Sequence, residues 1–138
     1  MTINDRNELR RILKEARVIA VLGHSNRPHR TSYSIGLYLR NAGYRVYAVN
    51  PTISDVDGEK AYATLAEVPE PIDIVNVFRR SEFLAEAVEQ AIAIGAKGVW
   101  AQLGVYDEAA AQKAEEAGLE MVMDRCIMVD HKALVRED

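Results

Sequence analysis

Two hydrophobic periods alternate along this chain. Near the N-terminus Leu9, Ile12, Leu13 and Ala16 fall on one face of a 3.6-residue helix, which Asn4 or Asp5 can cap. At Val18–Leu22 the pattern becomes an unbroken apolar run, which suits a strand covered on both faces of a parallel sheet. The run stops at Gly23 and a short basic loop follows. Thr31 or Ser32 can then cap a second helix through residue 41, with Ile35, Leu37, Tyr38 and Leu39 as its apolar positions and Gly43 closing it. Residues 44–49 predict a second strand. Residues 52–71 form the longest irregular stretch, broken by Asp55, Asp57, Gly58 and later prolines, with an edge strand near 60–62 and a helical turn at 64–68. Beyond it come a strand at 72–78, a helix over 81–94 capped by Ser81, and a strand at 98–101. A helix over 107–117, a strand at 119–123 and a helical tail from 124 to 134 complete the pattern.

Gly43, Gly95 and Gly118 each sit between a helix and the next strand. This rhythm predicts an α/β fold, a doubly wound parallel sheet of about five strands with right-handed crossovers in a single domain. Composition agrees. The chain has 138 residues, 49% hydrophobic and 28% charged, enough for one globular core. With 17 Lys and Arg against 21 Asp and Glu its formal charge is −4, which argues against nucleic acid as a partner. No run approaches the roughly 18 apolar residues of a membrane span, so no membrane partner is expected. The N-terminal residues lack the apolar core of a secretory signal. Cys126 is the single cysteine and excludes an internal disulfide, so the expected compartment is cytoplasmic.

Open α/β sheets bind ligands beyond the carboxyl ends of their strands, where strand order reverses. The candidates are therefore the residues that follow each strand. They are Gly23, His24, Ser25, Asn26, Arg27, Pro28 and Arg30 after the first, and Asn50 and Pro51 after the second. Phe78, Arg79, Arg80 and Ser81 follow the third, Gln102, Leu103 and Gly104 the fourth, and Asp124, Arg125 and Cys126 the fifth. Gly23 allows a sharp turn and close approach of a ligand, and the helix beyond it presents N–H groups to an anion. Taken alone, the loop also fits a structural turn without a ligand. Arg27, Arg30, Arg79 and Arg80 gathered at one edge of an acidic chain shift the balance, because the guanidinium fork suits phosphate.

A dinucleotide site calls for G-x-G-x-x-G in the first turn and an acidic residue after the second strand. This chain has Gly23 alone and Asn50-Pro51 in those places, so an NAD-dependent oxidoreductase is disfavoured. Cys126 follows Arg125, which would favour a thiolate, and His131 and His24 are its possible partners, though no triad spacing is evident. His24, His29, His131 and Cys126 match no metal-ligand spacing. Trp100 reads as core. Tyr33 and Tyr38 could stack on a base but suit packing better.

Together these segments resemble a known family. Val21-Leu22-Gly23-His24-Ser25, Arg27-Pro28, Arg30, Ser32-Tyr33, Gly43-Tyr44-Arg45-Val46-Tyr47 and Val49-Asn50-Pro51 are similar to the small stand-alone coenzyme A-binding proteins. Those in turn resemble the N-terminal CoA-binding domain of the succinyl-CoA synthetase α subunit. The stretches at 73–79, 99–104 and 124–131 continue the likeness over nearly the whole chain.

The resemblance implies a Rossmann-like fold holding CoA along the carboxyl edge. The turn from Gly23 to Arg27 would meet the diphosphate, Asn50-Pro51 would flank the nucleotide, and Val77-Phe78-Arg79 would line the adenine side. Gln102 to Gly104 would run beside the pantetheine arm. The synthetase loop is richer in glycine, and a separate domain supplies its phosphorylated histidine. The expectation here is accordingly a non-catalytic module for CoA or an acyl-CoA, with a protein partner or a homodimer left open. The alternative is an enzyme of acyl-CoA or CoA-thiol chemistry that uses Cys126 near the pantetheine sulfur.

Overall fold

Continuous burial decides where the first strand lies. In the computed structural model, which describes residues 2–136, Val18–Leu22 is strand β1 and all five of its residues are buried. The later strands are β2 (Arg45–Val49), β3 (Asp55–Val56), β4 (Glu59–Tyr62), β5 (Ile74–Val77), β6 (Gly98–Ala101) and β7 (Glu120–Val122). They join in one sheet of order β3-β4-β2-β1-β5-β6-β7. Every pairing is parallel except that of β3 with β4. Counting only the parallel strands in chain order gives 3-2-1-4-5-6, the doubly wound Rossmann arrangement.

The helices are α1 (Arg6–Glu15), α2 (Thr31–Asn41), α3 (Leu84–Ala93), α4 (Glu108–Glu116) and α5 (Ile127–His131). They cover both faces, as alternation along β1 requires. Val18, Ala20 and Leu22 share a core with Leu84, Val88 and Ala91 of α3 and Ala110 and Ala114 of α4. Ile19 and Val21 join the other core, with Leu9 and Leu13 of α1, Ile35 and Leu39 of α2, Trp100 and Ile127.

The structure corrects several expectations. The sheet has seven strands rather than about five, because residues 52–62 fold back as the β3–β4 hairpin. Its turn is Asp57-Gly58, both with positive φ (50° and 87°), a dipeptide that favours two-residue hairpins. Only a short 3₁₀ turn, Leu65–Glu67, follows. Asp5 caps α1 through the Glu8 N–H and Asp107 caps α4 through the Ala110 N–H. Neither Thr31 nor Ser32 caps α2, whose N-cap is Arg30, and Ser81 opens a 3₁₀ turn (Ser81–Phe83) ahead of α3 without capping it. The tail is α5 followed by a π-helical turn, Lys132–Arg136.

Gly23 is where β1 leaves the sheet. Its φ is +93°, its N–H donates to the Val49 carbonyl (2.8 Å), and a methyl group added there would overlap the Phe78 carbonyl oxygen. Gly104 also has positive φ (+88°), but open space surrounds it. Gly23→Ala therefore combines backbone strain with a steric clash, whereas Gly104→Ala carries the strain alone, about 1–2 kcal/mol. The clash should make Gly23→Ala the costlier change by a further ~1–3 kcal/mol. Urea denaturation of the two variants measures the difference, and equal losses would show that the approach to Phe78 is unimportant.

Candidate functional site

The sheet order reverses between β1 and β5, so the loops leaving these strands diverge. The result is a cleft of about 1070 Å³ along the carboxyl edge. Its walls are Gly23, Ser25, Asn26, Arg27, His29 and Arg30 after β1, Thr31 and Ser32 in the first turn of α2, and Asn50, Thr52 and Ile53 after β2. Phe78, Arg79 and Arg80 after β5 and Gln102, Leu103, Gly104 and Val105 after β6 complete it.

Side-chain to backbone hydrogen bonds hold this lining in shape. Asn50 Nδ2 donates to the His24 carbonyl (3.0 Å), while its Oδ1 accepts from the Thr52 N–H (2.9 Å) and hydroxyl (2.7 Å). Ser32 Oγ accepts from the Ser25 N–H (2.9 Å), and Ser25 Oγ accepts from the Arg27 N–H (3.0 Å). Because Ser32 is engaged with Ser25 and Arg30 makes no side-chain cap, no side chain caps the start of α2. The Tyr33 and Ser34 N–H groups turn to the Arg30 carbonyl (3.2 and 3.3 Å), which leaves those of Thr31 and Ser32 for an anion.

Charge in the cleft is one-sided. Four arginines and His29 line it, and no carboxylate does. Elsewhere Arg11, Arg45 and Arg125 are each paired with acidic side chains. Among the described residues Arg27, Arg30 and Arg79 have no ion pair and no side-chain hydrogen bond, and Arg80 rests over the Phe83 ring at 5.4 Å. Unpaired guanidiniums around a cavity have the shape and charge to meet phosphate oxygens.

Not every candidate from the sequence reaches the cleft. The His24 ring is fully buried beneath α2, Val77 is in the core, and Pro28 and Pro51 are exposed outside the lining. Cys126 is half-buried at the start of α5 and also lies outside the lining. The charge of Arg125 beside it is taken by Asp130 through two bonds of 2.7 and 2.9 Å, which removes the thiolate argument. Tyr33 and Tyr38 turn to Asp57 and His131 rather than to a ligand. His29, Thr52, Ile53 and Val105 line the cleft without having been singled out. Their place three or four residues beyond a strand end is the signal that could have marked Thr52, Ile53 and Val105. Among the described residues no group of three or more His, Cys, Asp or Glu side chains could hold a metal, and no helix is long and apolar enough to cross a membrane.

Comparison with known proteins decides the family. The model of the CoA binding domain matches residues 17–132. The chain belongs to the CoA binding domain family. It is 45% identical over 124 residues to the uncharacterized protein YneT of Bacillus subtilis, covering 90% of this chain and 92% of that protein. It is also 33% identical over 84 residues to the alpha subunit of an ADP-forming acetate–CoA ligase (II) of Pyrococcus furiosus. That match covers 60% of this chain but 18% of the subunit. A hypothetical protein from Pyrococcus horikoshii has a solved structure with a TM-score of 0.92 and 39% identity, covering 98% of this chain and 96% of that one.

In this CoA binding domain two buried polar groups brace the cleft from behind. Asn76, on β5, donates through Nδ2 to the Trp100 carbonyl (3.1 Å) and to Gln102 Oε1 (3.4 Å). Gln102 Oε1 in turn accepts from the Ile127 N–H (3.3 Å), tying the β6 loop to α5. The second group is His24. Its Nδ1 lies 2.7 Å from the Ser25 carbonyl, so Nδ1 carries the proton, and Nε2 faces Arg40 Nη1 at 3.5 Å as an acceptor. A methyl group on Gly36 would overlap Nε2, so α2 rests directly on the ring.

Burial holds the His24 imidazole below its ordinary value of 6.5. The Ser25 carbonyl opposes this shift, and the nearby Arg40 charge reinforces it. The unfolded chain thus binds this proton first as pH falls. The corresponding stability is full above about 6.5 and declines as pH drops below it. Urea midpoints should fall between pH 7 and pH 5, and His24→Asn, which keeps a donor for Ser25, should flatten that slope. Parallel slopes for the two proteins would mean the ring is not held neutral.

Proposed function

We propose that the chain binds coenzyme A in the cleft, as a module without chemistry of its own. One observation carries this reading: four cleft arginines without a carboxylate among the lining, placed where the sheet order reverses. CoA carries a diphosphate and a 3′-phosphate, so its head is more anionic than that of NAD and matches such a lining. NAD recognition uses an acidic residue at the end of the second strand to hold the ribose hydroxyls. Here that place is taken by Asn50, whose amide is occupied with His24 and Thr52. The lining supplies no cysteine and no carboxylate to serve as nucleophile or general base.

The family match supports the same ligand, and the acetate–CoA ligase named above acts on CoA as part of a much longer subunit. Carried over to this chain, the shared segment would be the part that holds CoA.

Calorimetry at low salt should register CoA binding and much weaker NADH binding; no heat and no thermal shift at millimolar CoA would sink the proposal. Arg27→Ala and Arg79→Ala should each weaken CoA by about 1.5–3 kcal/mol, that is tenfold or more, for the charged hydrogen bonds lost. Melting temperatures should stay near the parent value, because neither side chain is paired in the fold. Unchanged affinity in both variants would show that these arginines do not face the ligand.

A further inference from the structure

Beyond the cleft's polar lining lies an apolar rim. Leu103 and Tyr106 are 67% and 58% exposed, the highest values for large hydrophobic side chains among the described residues, and Phe83 is 37% exposed. Single exposed apolar residues need no explanation, but these three sit on two loops that are bonded together. Ser81 Oγ donates to the Gly104 carbonyl (3.4 Å) and accepts from the Tyr106 N–H (3.0 Å). Gly104 N–H donates to Asp124 Oδ1 (2.7 Å), and Val105 is bonded through its backbone to Gln102 and Asp124. The loop is therefore fixed, and its apolar side chains are held outward rather than free to fold under.

The rim adjoins the cleft through its lining residues: Leu103, Val105 and Arg80 line the cleft, Tyr106 follows Val105 in the chain, and Arg80 rests over the Phe83 ring at 5.4 Å. The remaining exposed large hydrophobics, Leu37, Ile92 and Val129, lie on α2, α3 and α5. Three side chains are too few for a protein partner, since a stable interface buries about 800 Å² on each side. They suit a short hydrocarbon chain that leaves the cleft at this end.

We infer that this rim takes the acyl chain of an acyl-CoA, so that the preferred ligand is a CoA thioester with an apolar chain rather than free CoA. The inference rests on the CoA reading above and adds the substrate class to it. An eight-carbon saturated chain serves as the probe. Removing the equivalent of about two methylenes from water raises affinity about tenfold.

Isothermal titration with CoA, octanoyl-CoA and succinyl-CoA tests the assignment. Octanoyl-CoA should bind about tenfold tighter than CoA, succinyl-CoA should gain nothing, and Tyr106→Ser should lose most of the octanoyl advantage while binding CoA as the parent does. Equal affinity for octanoyl-CoA and CoA, or a preference for succinyl-CoA, would overturn the acyl assignment and leave the CoA reading standing. An octanoyl advantage untouched by Tyr106→Ser would also overturn it. Failure of all three ligands to bind would remove both.

Discussion

The carboxyl edge of this protein exists because two neighbouring strands part company at a single glycine. Strands β1 and β5 run in register as far as Leu22 and Val77, and the Phe78 N–H still bonds to the Leu22 carbonyl (2.9 Å). At Gly23 the chain turns away in a left-handed conformation, close enough to the Phe78 carbonyl to exclude any Cβ. No other residue satisfies both conditions. From that point one loop leads to Arg27 and Arg30 and the other to Arg79 and Arg80, so one close backbone approach sets the separation of two pairs of cations.

Holding four cations around an open cleft is unfavourable without a ligand, and the surrounding structure offsets this through buried polar groups rather than apolar packing alone. Asn50, Ser25 and Ser32 fix the first loop through backbone N–H and carbonyl groups. Asn76 and Gln102 fix the loop after β6, leaving Asn76 Oδ1 as a buried side-chain atom without a partner among the described residues. At the opposite end of the sheet Asp73 accepts from the N–H groups of Arg17 and Val18, which keeps its carboxyl below the ordinary range against the effect of burial. Polar anchors at both ends leave the apolar residues of β1 free to face both cores.

Much of this was legible from the residues. The alternation of periods located the parallel strands and their order of appearance, because Val18–Leu22, Ile74–Val77 and Gly98–Ala101 have no polar face to conceal, apart from Asn76. Less visible was whatever depends on a partner distant in sequence. Ser32 and Ser81 look like helix caps by local position, yet their hydroxyls serve Ser25 and Tyr106 instead. The β3–β4 hairpin was read as mostly loop because its strands are short and acidic, although Asp57-Gly58 is a hairpin turn. His24 looked like a ligand contact because it follows the glycine turn. The sign that it packs inward is Gly36, a small residue in mid-helix where a Cβ would overlap the ring.

The sheet's two outer strands carry a further consequence. On one side the last strand, β3, has only two residues, one of them Asp55, and turns back at Asp57-Gly58. On the other, the segment before α1 lies along β7, where the Ile3 N–H donates to the Met121 carbonyl (2.7 Å). A parallel sheet with long bare margins would invite a second molecule to add its own strand and propagate into aggregates. Here one margin is short and charged, and at the other Ile3 takes one backbone carbonyl of β7, so copies meeting at high concentration find less backbone to pair with.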